Sequence, residues 1–291
     1  MKALQGTGVA LVTPFSKQGN IDISALKNIV RFQMDNGINY LVLLGTTAET
    51  ATLTKAEKDT VIKTVSSVNN GKLPLVLGIG GNNTRQLIQE ISERDLTPFS
   101  AILSVTPYYN KPSQEGLYQH YKAIAQISPV PVMLYNVPSR TGVNLLPRTT
   151  LQLASDFKNI IAIKEAVSNI TQSMRLLQKK PKDFMVISGD DMLALPMVLA
   201  GGAGVISVIG QGMPAPFSKM IRLALNGEAK RASKIHYKMM DGIDYIFEEG
   251  NPAGIKFLLS HRGFCNPDLR LPLVSAGTEI RKKISKFVDN Y

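Results

Sequence analysis

Residues 160–164 read Ile-Ile-Ala-Ile-Lys, four apolar residues that run directly into a lysine. The run is continuously apolar rather than alternating, and a strand of that kind is buried on both faces, as in a parallel sheet. Further runs of the same character occur on both sides of it. They cover residues 8–13, 40–44, 75–79, 101–105, 130–135, 185–189 and 204–208. Together the runs predict a sheet of eight parallel strands.

Amphipathic stretches with helical spacing fall between these runs. The predicted helices cover residues 22–36, 54–69, 84–95, 113–127, 147–156, 169–179 and 191–200. One of them opens with Thr54 and Glu57, which have the spacing of a capping box. Regular alternation of strand and helix predicts an α/β fold, and eight such units match a closed (β/α)₈ TIM barrel better than an open doubly wound sheet.

The strand pattern stops near Gly227, and only helices are predicted beyond it, over residues 228–249, 252–262 and 277–288. The dipeptide Asn226-Gly227 is a turn signal and marks the predicted boundary. We therefore expect two regions, a catalytic barrel over residues 1–226 and a C-terminal helical appendage over residues 227–291.

The composition is that of a globular protein rather than a disordered chain, with 44% hydrophobic and 19% charged residues among 291. The net charge is +11, but the lysines and arginines are spread along the chain. Their densest clusters, 179–182 and 281–283, fall on helix ends or solvated helix faces. Because no aromatic-rich sheet and no zinc-finger spacing accompanies the charge, no nucleic-acid partner is expected.

The cysteine and histidine content bears on disulfide bonds, metal binding and cellular location. Cys265 is the only cysteine, so no internal disulfide can form and a reducing compartment is expected. The three histidines are scattered without metal-ligand spacing, and neither a metal nor another cofactor is expected. No apolar run approaches the ~18 residues that a membrane span needs, and the first residues lack a signal-peptide core. The expected location is the cytoplasm, with no membrane partner.

Polar clusters follow five of the predicted strands, at the end where barrel enzymes place their active sites. The clusters are Gly-Thr-Thr-Ala-Glu at 45–49, Thr-Pro-Tyr-Tyr-Asn at 106–110, Tyr-Asn-Val-Pro-Ser-Arg-Thr-Gly at 135–142, Lys-Glu at 164–165 and Gly-Asp-Asp at 189–191. Since the carboxyl ends of parallel strands share one edge, we expect all five clusters to surround one mouth.

Lys164 is the candidate nucleophile, because its stem must enter the barrel wall. Partial burial disfavours the charged ammonium, and a neutral amine can attack a carbonyl and form an imine. The alternative is a strand-end lysine that extends to solvent. Successive strand residues face opposite sides, so Glu165 is expected to point into the helix layer.

Two further clusters, 45–49 and 135–142, supply candidates near that lysine. Tyr135 ends the neighbouring strand, and its phenol is suited to proton relay, although a buried tyrosine bonded to the backbone is also possible. Thr46 and Thr47 form a tight turn that could hold a carboxylate or merely cap the strand. Arg140 could bind a second carboxylate bidentately or be a surface arginine.

These motifs resemble the dihydrodipicolinate synthase family, also named the 4-hydroxy-tetrahydrodipicolinate synthase family, within the pyruvate-dependent class I aldolases. The resemblance covers nearly the whole chain. The matching stretches are residues 45–47, 106–112, 135–142, 163–166, 188–191 and 204–208. The resemblance implies a lyase of lysine and diaminopimelate biosynthesis that condenses pyruvate with L-aspartate 4-semialdehyde through a lysine Schiff base.

It also implies roles for individual residues. Lys164 forms the imine, and Tyr135 shuttles protons through the Thr47 hydroxyl to Tyr109. Thr46 and Thr47 bind the pyruvate carboxylate. In the family the second tyrosine, here Tyr109, reaches in from a neighbouring subunit, which implies a homo-oligomer and usually a tetramer built as a dimer of dimers.

The remaining implied roles concern the second substrate and the backbone. Arg140 binds the carboxylate of aspartate semialdehyde and steadies Tyr135. Gly189 and Ile206 contribute backbone contacts near the substrate.

Two departures from the family pattern concern the mouth. Ala48 stands where glycine is usual, which is costly if the turn needs a positive φ there. Gly210-Gln211-Gly212 also differs from the usual sequence after the last strand, so a different mouth is expected at that point.

A third departure concerns the family's lysine-feedback site. Asn82 and Tyr108 match its pattern, but Gln86 replaces a frequent glutamate, and Lys55 and Lys58 replace histidines. Because that site needs negative charge to hold an ammonium, weak or absent inhibition by lysine is predicted.

Two alternatives stay open on the sequence alone. N-acetylneuraminate lyase and 2-keto-3-deoxy sugar acid aldolases share the tyrosine and lysine roles, and Arg140 favours the synthase over them. A barrel without activity that binds a metabolite is the other alternative, and the joint presence of Thr47, Tyr109, Tyr135 and Lys164 argues against it.

Overall fold

A computed structural model describes residues 2–291 and contains a closed barrel of eight parallel strands in sequential order. The strands are β1 Gly6–Ala10, β2 Tyr40–Leu43, β3 Leu75–Gly78, β4 Ala101–Val105, β5 Val132–Asn136, β6 Ile160–Glu165, β7 Met185–Ser188 and β8 Gly204–Ser207. The last strand pairs with the first, which closes the sheet. The (β/α)₈ barrel predicted from the sequence is confirmed.

Helices surround the barrel and continue past its last strand. They are α1 Ile23–Asp35, α2 Lys55–Asn69, α3 Thr84–Glu93, α4 Gln114–Ile127, α5 Pro138–Thr141, α6 Pro147–Asp156, α7 Ile170–Lys179, α8 Ala194–Leu199, α9 Pro214–Leu225, α10 Ala229–Glu248, α11 Ala253–His261 and α12 Thr278–Asn290. The capping box predicted at the start of α2 is present, with Thr54 and Glu57 bonded reciprocally.

Two hydrophobic cores follow from the alternation of side chains along each strand. The outer core fills the space between strands and helices, and the inner core fills the barrel. Tyr40 lies in the inner core because Gly8, on the neighbouring strand, leaves room for its ring. A Cβ at Gly8 would lie 2.2 Å from Cε2 of Tyr40. The interior of the barrel is therefore closely packed around Tyr40.

Three helices differ from the sequence prediction, and β1, predicted over residues 8–13, spans Gly6–Ala10. The helix α9 and the one-turn α5 were not predicted, although each begins with a proline at its first position. The helix predicted from residue 191 begins at Ala194 instead. Asp190 accepts the backbone N–H groups of Met192 and Leu193, at 2.8 and 3.1 Å, and this turn delays the helix.

The last three helices pack on one another, and α10 also packs along α9. A buried ion pair joins this region to the loop that follows β2, with 2.5 Å between Nζ of Lys256 and Oε1 of Glu49. The boundary predicted at residue 226 stays a prediction. Within residues 2–291, every helix is too short or too polar to cross a membrane.

Candidate active site

A cavity of about 470 Å³ opens where the strands of the barrel end. It brings together six of the eight site residues predicted from the sequence, together with residues that were not predicted. The six are Thr46, Thr47, Tyr135, Arg140, Lys164 and Gly189, and Asn251 is among the other residues that line the cavity. Residues that lie up to about 200 positions apart in sequence therefore face the same space.

Lys164 and Tyr135 are direct neighbours across the sheet. They are register partners on β6 and β5, and both side chains face the inside of the barrel. Nζ of Lys164 lies 4.2 Å from the centroid of the Tyr135 ring, and the lysine is only 5% exposed. The amine is thus held against an aromatic face rather than extended into solvent, which excludes the alternative of a solvent-extended lysine.

Glu165, the next residue, points out of the barrel as predicted. Its carboxylate accepts hydrogen bonds from Nδ2 of Asn136, at 2.8 Å, and from Nε2 of Gln172 on α7, at 3.2 Å. Burial raises the pKa of Glu165 to about 7, because the two hydrogen bonds do not offset the loss of hydration. Lys164 and Glu165 are adjacent in sequence but belong to different compartments of the fold.

Gly189, which follows β7, leaves the space that the lysine stem occupies. A Cβ at this position would lie 3.0 Å from Cε of Lys164 and 2.7 Å from Cβ of Ala166. Its backbone N–H donates to the carbonyl of Glu165, at 2.7 Å. A larger residue at 189 would therefore displace the amine.

Two predicted site residues lie apart from the other six. Ile206 is buried in the inner core, at 1% exposure, and does not line the cavity. Tyr109 is 88% exposed and also does not line it, and its φ of 71° lies in the left-handed region. Within a single chain, Tyr109 does not join the other candidates.

The turn that carries both threonines is a short 3₁₀ helix, Thr46–Ala48. Positive φ angles occur on either side of it, 53° at Leu44 and 55° at Glu49, but not at Ala48 itself. Ala48 is buried, and its carbonyl accepts from the Thr13 hydroxyl at 2.8 Å. The condition that would make alanine costly at this position is therefore not met.

Asn251, just before α11, was missed by the sequence analysis. Its Nδ2 donates to Oγ1 of Thr47 at 2.9 Å, and its backbone carbonyl accepts from Nη2 of Arg140 at 3.3 Å. The only local signal is the Asn-Pro dipeptide at 251–252, which marks a turn or helix start. Nothing in that dipeptide indicates a contact with a residue some 200 positions earlier.

Gln211 belongs to the stretch Gly210-Gln211-Gly212, which departs from the family pattern after the last strand. Its Oε1 accepts from the N–H of Val12 at 3.0 Å, and its Nε2 donates to the carbonyl of Ala10 at 2.8 Å. The side chain is fully buried and connects the loop after β8 to the end of β1. The unusual sequence at this point closes the barrel and adds no group to the cavity.

A second cavity, of about 430 Å³, adjoins the first and shares Tyr135, Arg140 and Asn251 with it. Tyr108 and Lys58 line its far side. Nδ2 of Asn82 donates to the carbonyl of Tyr108 at 3.1 Å. Lys55 and Gln86 lie in a neighbouring groove between α2 and α3, which Lys58 also lines. The residues that depart from the family's lysine site thus lie beside the mouth.

A buried lysine beside a tyrosine at the mouth of a (β/α)₈ barrel defines an enzyme of the class I aldolase type, in which a lysine amine attacks a carbonyl. The comparisons with known proteins support this class and narrow it. The chain belongs to the dihydrodipicolinate synthetase family, whose model matches residues 3–291.

The relatives extend over almost the full chain. A 4-hydroxy-tetrahydrodipicolinate synthase of Flavobacterium psychrophilum is 58% identical over 99% of this chain and 98% of its own. The crystal structure of dihydrodipicolinate synthase from Aquifex aeolicus is 38% identical, covers 99% and 98% of the two chains and superimposes with a TM-score of 0.95.

A third relative was solved with a ligand. It is the chloride-inhibited dihydrodipicolinate synthase from Acinetobacter baumannii complexed with pyruvate, 36% identical over 99% of this chain and 98% of its own, with a TM-score of 0.95. The family and the synthase activity predicted from the sequence, a lyase of the class I aldolase type, are confirmed.

Proposed function

We propose that the Lys164 amine forms a Schiff base with pyruvate and that the adduct condenses with L-aspartate 4-semialdehyde in the cavity above the barrel. The observation that carries the proposal is the placement of a nearly buried lysine against the ring of Tyr135. The structure of a relative complexed with pyruvate supports the first substrate. The name shared by the curated relatives supports the overall reaction.

The chemistry needs only groups of the chain and the substrates. The neutral amine attacks the keto carbon of pyruvate, water leaves and an imine forms. The protonated imine makes the methyl group acidic, and loss of a methyl proton gives an enamine. The enamine carbon attacks the aldehyde, whose oxygen takes up a proton. The amine of the second substrate then displaces Lys164 by transimination, and a cyclic product leaves.

Each lining residue has a place in this sequence of steps. Tyr135 transfers protons next to the imine, since its ring lies against Nζ of Lys164, and the Thr47 hydroxyl passes these protons on. The backbone and hydroxyl groups of Thr46 and Thr47 bind the pyruvate carboxylate. Arg140, whose guanidinium lines both cavities, binds the carboxylate of the semialdehyde.

Gly189 and Ile206 complete the proposed site. Gly189 lines the cavity, and its backbone is close enough to the lysine stem to contact a bound adduct. Ile206 is proposed to contribute through its backbone at the end of β8, since its side chain belongs to the inner core.

The proposal includes an oligomer, because Tyr109 is exposed rather than directed into its own cavity. We propose that it completes the proton relay of a partner subunit in a homotetramer built as a dimer of dimers. Exposed apolar side chains of the C-terminal region, Leu271 and Val274, at 78% and 68% exposure, support a protein contact. Light scattering gives the assembly state, and a monomeric enzyme with full activity would refute this part.

The cytoplasm is the proposed location. The support is the free thiol of Cys265, the one cysteine of the chain, which suits a reducing compartment.

Reductive trapping tests the central proposal. The protein is incubated with pyruvate, reduced with borohydride and analysed by peptide mass spectrometry. We expect a pyruvate-derived mass on Lys164 alone. An adduct on another lysine, or none, contradicts the proposal. Product formation from pyruvate with aspartate semialdehyde, compared with sugar aldehydes, then separates the synthase from the sugar-acid aldolases.

The regulatory proposal is weak or absent inhibition by lysine. It rests on Lys58, which lines the second cavity, and on Lys55 and Gln86 in the groove beside it. The two lysines repel the ammonium of lysine, and the neutral Gln86 provides no carboxylate to bind it. Initial rates with and without millimolar lysine test it. Inhibition of more than half at that concentration would contradict the proposal.

A further inference from the structure

Asn251 contacts two groups of the candidate active site from the C-terminal part of the chain. Its side-chain amide donates to Oγ1 of Thr47, and its carbonyl accepts from Arg140. We propose that Asn251 is a positioning residue for the condensation, which directs the hydroxyl proton of Thr47 into the substrate cavity. The inference rests on the proposed function, in which that hydroxyl passes protons.

The direction of the Thr47 hydroxyl follows from the bond that it receives. A hydroxyl has one proton to donate and two acceptor sites. In Thr47 one acceptor site is taken by Nδ2 of Asn251, at 2.9 Å, and the residue is 2% exposed. With an N–H group directed at its oxygen, the hydroxyl cannot donate its proton to Asn251. The proton is left for an acceptor in the cavity, which Thr47 shares with Tyr135 and Lys164.

A second contact in parallel holds Asn251 and Thr47 in register. Two residues after Thr47, Glu49 forms a fully buried ion pair with Lys256, five residues after Asn251. Nζ of Lys256 also donates to the carbonyl of Asp268 at 2.8 Å. The turn and the start of α11 are therefore joined at two points, which limits the positions that the Asn251 amide can take.

The hydrogen bond between the Asn251 amide and Thr47 is buried. Asn251 is 8% exposed and lines both cavities, and its Oδ1 has no hydrogen-bond partner within residues 2–291. An unsatisfied buried acceptor is costly, and such groups persist where substrate or a functional requirement offsets the cost. The same residue thus orients Thr47 with its side chain and lines the cavity proposed for the substrate.

The opposite orientation of the amide would have the opposite consequence. If Oδ1 faced Thr47, the threonine would donate its only proton to Asn251, and none would be available to the cavity. Aspartate has nearly the same shape as asparagine but, when ionised, can only accept. The variant Asn251→Asp therefore imposes the acceptor orientation and separates the two arrangements.

The experiment is a double-mutant cycle of Asn251→Asp with Thr47→Val, measured by kcat, KM for both substrates and reductive trapping of pyruvate. We expect Asn251→Asp to lower kcat about tenfold or more and to change KM for pyruvate less than about threefold. In the Thr47→Val background the same change should alter kcat less than about twofold, since the hydroxyl is already missing.

Three results would overturn the inference. They are parental kcat in Asn251→Asp, an equal loss in both backgrounds, and a loss seen only in the KM for pyruvate. An equal loss is what a purely structural role predicts, because damage to the fold does not depend on the Thr47 hydroxyl.

Controls separate this inference from other failures. Asn159→Asp removes a similar donor, bonded to the carbonyl of Ala125 at 2.7 Å, far from the cavity and should keep parental kcat. If Asn251→Asp shows no cooperative thermal unfolding, Asn251→Ala takes its place in the cycle. Alanine removes the N–H that orients the Thr47 hydroxyl but offers no acceptor, so a smaller loss of kcat is expected, confined to the background that has the hydroxyl. Parental kcat in Asn251→Ala, or an equal loss in both backgrounds, would then overturn the inference. Trapping of pyruvate on Lys164 in the parent protein tests the proposed function separately from the cycle.

Discussion

The inner and outer faces of β5 and β6 differ sharply although they consist of alternate residues of the same strands. On the inner face Tyr135 and Lys164 are register partners, and the amine lies over the phenol ring. On the outer face Asn136 and Glu165, also register partners, are joined by a hydrogen bond of 2.8 Å. The inner face of these strands therefore lines the cavity, whereas the outer face, one residue along each strand, forms a buried hydrogen-bond network.

The two faces differ in whether their polar groups have hydrogen-bond partners within the protein. Outside, the Asn136 side chain both donates to Glu165 and accepts from the N–H of Leu145, at 2.9 Å, so the protein satisfies its own groups. Inside, the amine of Lys164 faces an aromatic ring and open space. Substrate can bond only to groups that the fold leaves free, and these two strands leave them free on one face alone.

The largest effect is expected on the inner face, from Lys164→Arg. An arginine stays protonated and cannot become a nucleophile, so turnover should fall by about 10⁴ or more. Condensation rates and borohydride trapping measure it, and no pyruvate adduct should form. Lys179→Arg, at the end of α7, is a matched control that should keep parental rates. Turnover within about tenfold of the parent would remove the basis for an amine nucleophile.

Tyr135→Phe should have the next largest effect, because it removes the phenol but keeps the ring that the amine packs against. Loss of a proton-transfer group lowers kcat by about 10²–10³. The control is Tyr121→Phe, which removes another buried hydroxyl, bonded to the carbonyl of Ser104 at 3.0 Å. We expect that control to lower the unfolding midpoint and to leave kcat unchanged. Equal effects on kcat from both variants would contradict a specific role of the Tyr135 hydroxyl in proton transfer.

On the outer face, Glu165 should affect stability and its pH dependence. Its pKa of about 7 in the folded protein lies above the ordinary value of 4.5. The folded state thus holds the proton more tightly than the unfolded chain. The associated stability is fully present below about pH 4.5 and is lost as the pH rises through 7, by about 3 kcal/mol.

The measurement is the free energy of unfolding in urea between pH 4.5 and 8, for the parent and for Glu165→Gln. The parent should lose about 3 kcal/mol relative to the variant over this range, since glutamine does not titrate. Asp191, another buried carboxyl whose pKa is raised to about 6, is common to both proteins and cancels in the difference. Glu93→Gln, on the exposed side of α3, is the control. Parallel curves for the parent and Glu165→Gln would contradict the assignment.

The smallest effect tests how closely the inner face fits its lysine. Gly189→Ala places a methyl group 3.0 Å from Cε of Lys164 and 2.7 Å from Cβ of Ala166. Ala166 and the lysine stem must both move to make room, and kcat/KM should fall about tenfold. The control is Gly81→Ala, where the added Cβ would have only ordinary contacts at 3.6 Å or more, and it should keep the parental kcat/KM. Gly71→Ala cannot serve as a control, because Gly71 has a positive φ. Full activity in Gly189→Ala would show that the Lys164 side chain is not closely packed against residue 189.

Local sequence was sufficient for most of the architecture. Continuous apolar runs separated by amphipathic helices specify parallel strands, and their number specifies closure. The position of Lys164 at the end of such a run, and of Tyr135 at the end of the one before, places both at the mouth. The opposite directions of Lys164 and Glu165 follow from the two-residue period of a strand.

Other features depended on contacts between distant residues. Asn251 lies 204 positions from Thr47, and no pattern near either residue records their hydrogen bond. Gln211 reaches Ala10 across a comparable separation of 201 positions. The space that Gly189 leaves for Lys164, and the exposure of Tyr109, likewise exist only once the strands lie side by side.

The sequence by itself determined the barrel, its open end and the residues that end its strands, because burial and strand periodicity act over a few neighbouring positions. Only the tertiary structure decided which free hydrogen-bonding groups face the cavity. That outcome depends on distances of about 3 Å between atoms whose positions are set by packing of the whole chain.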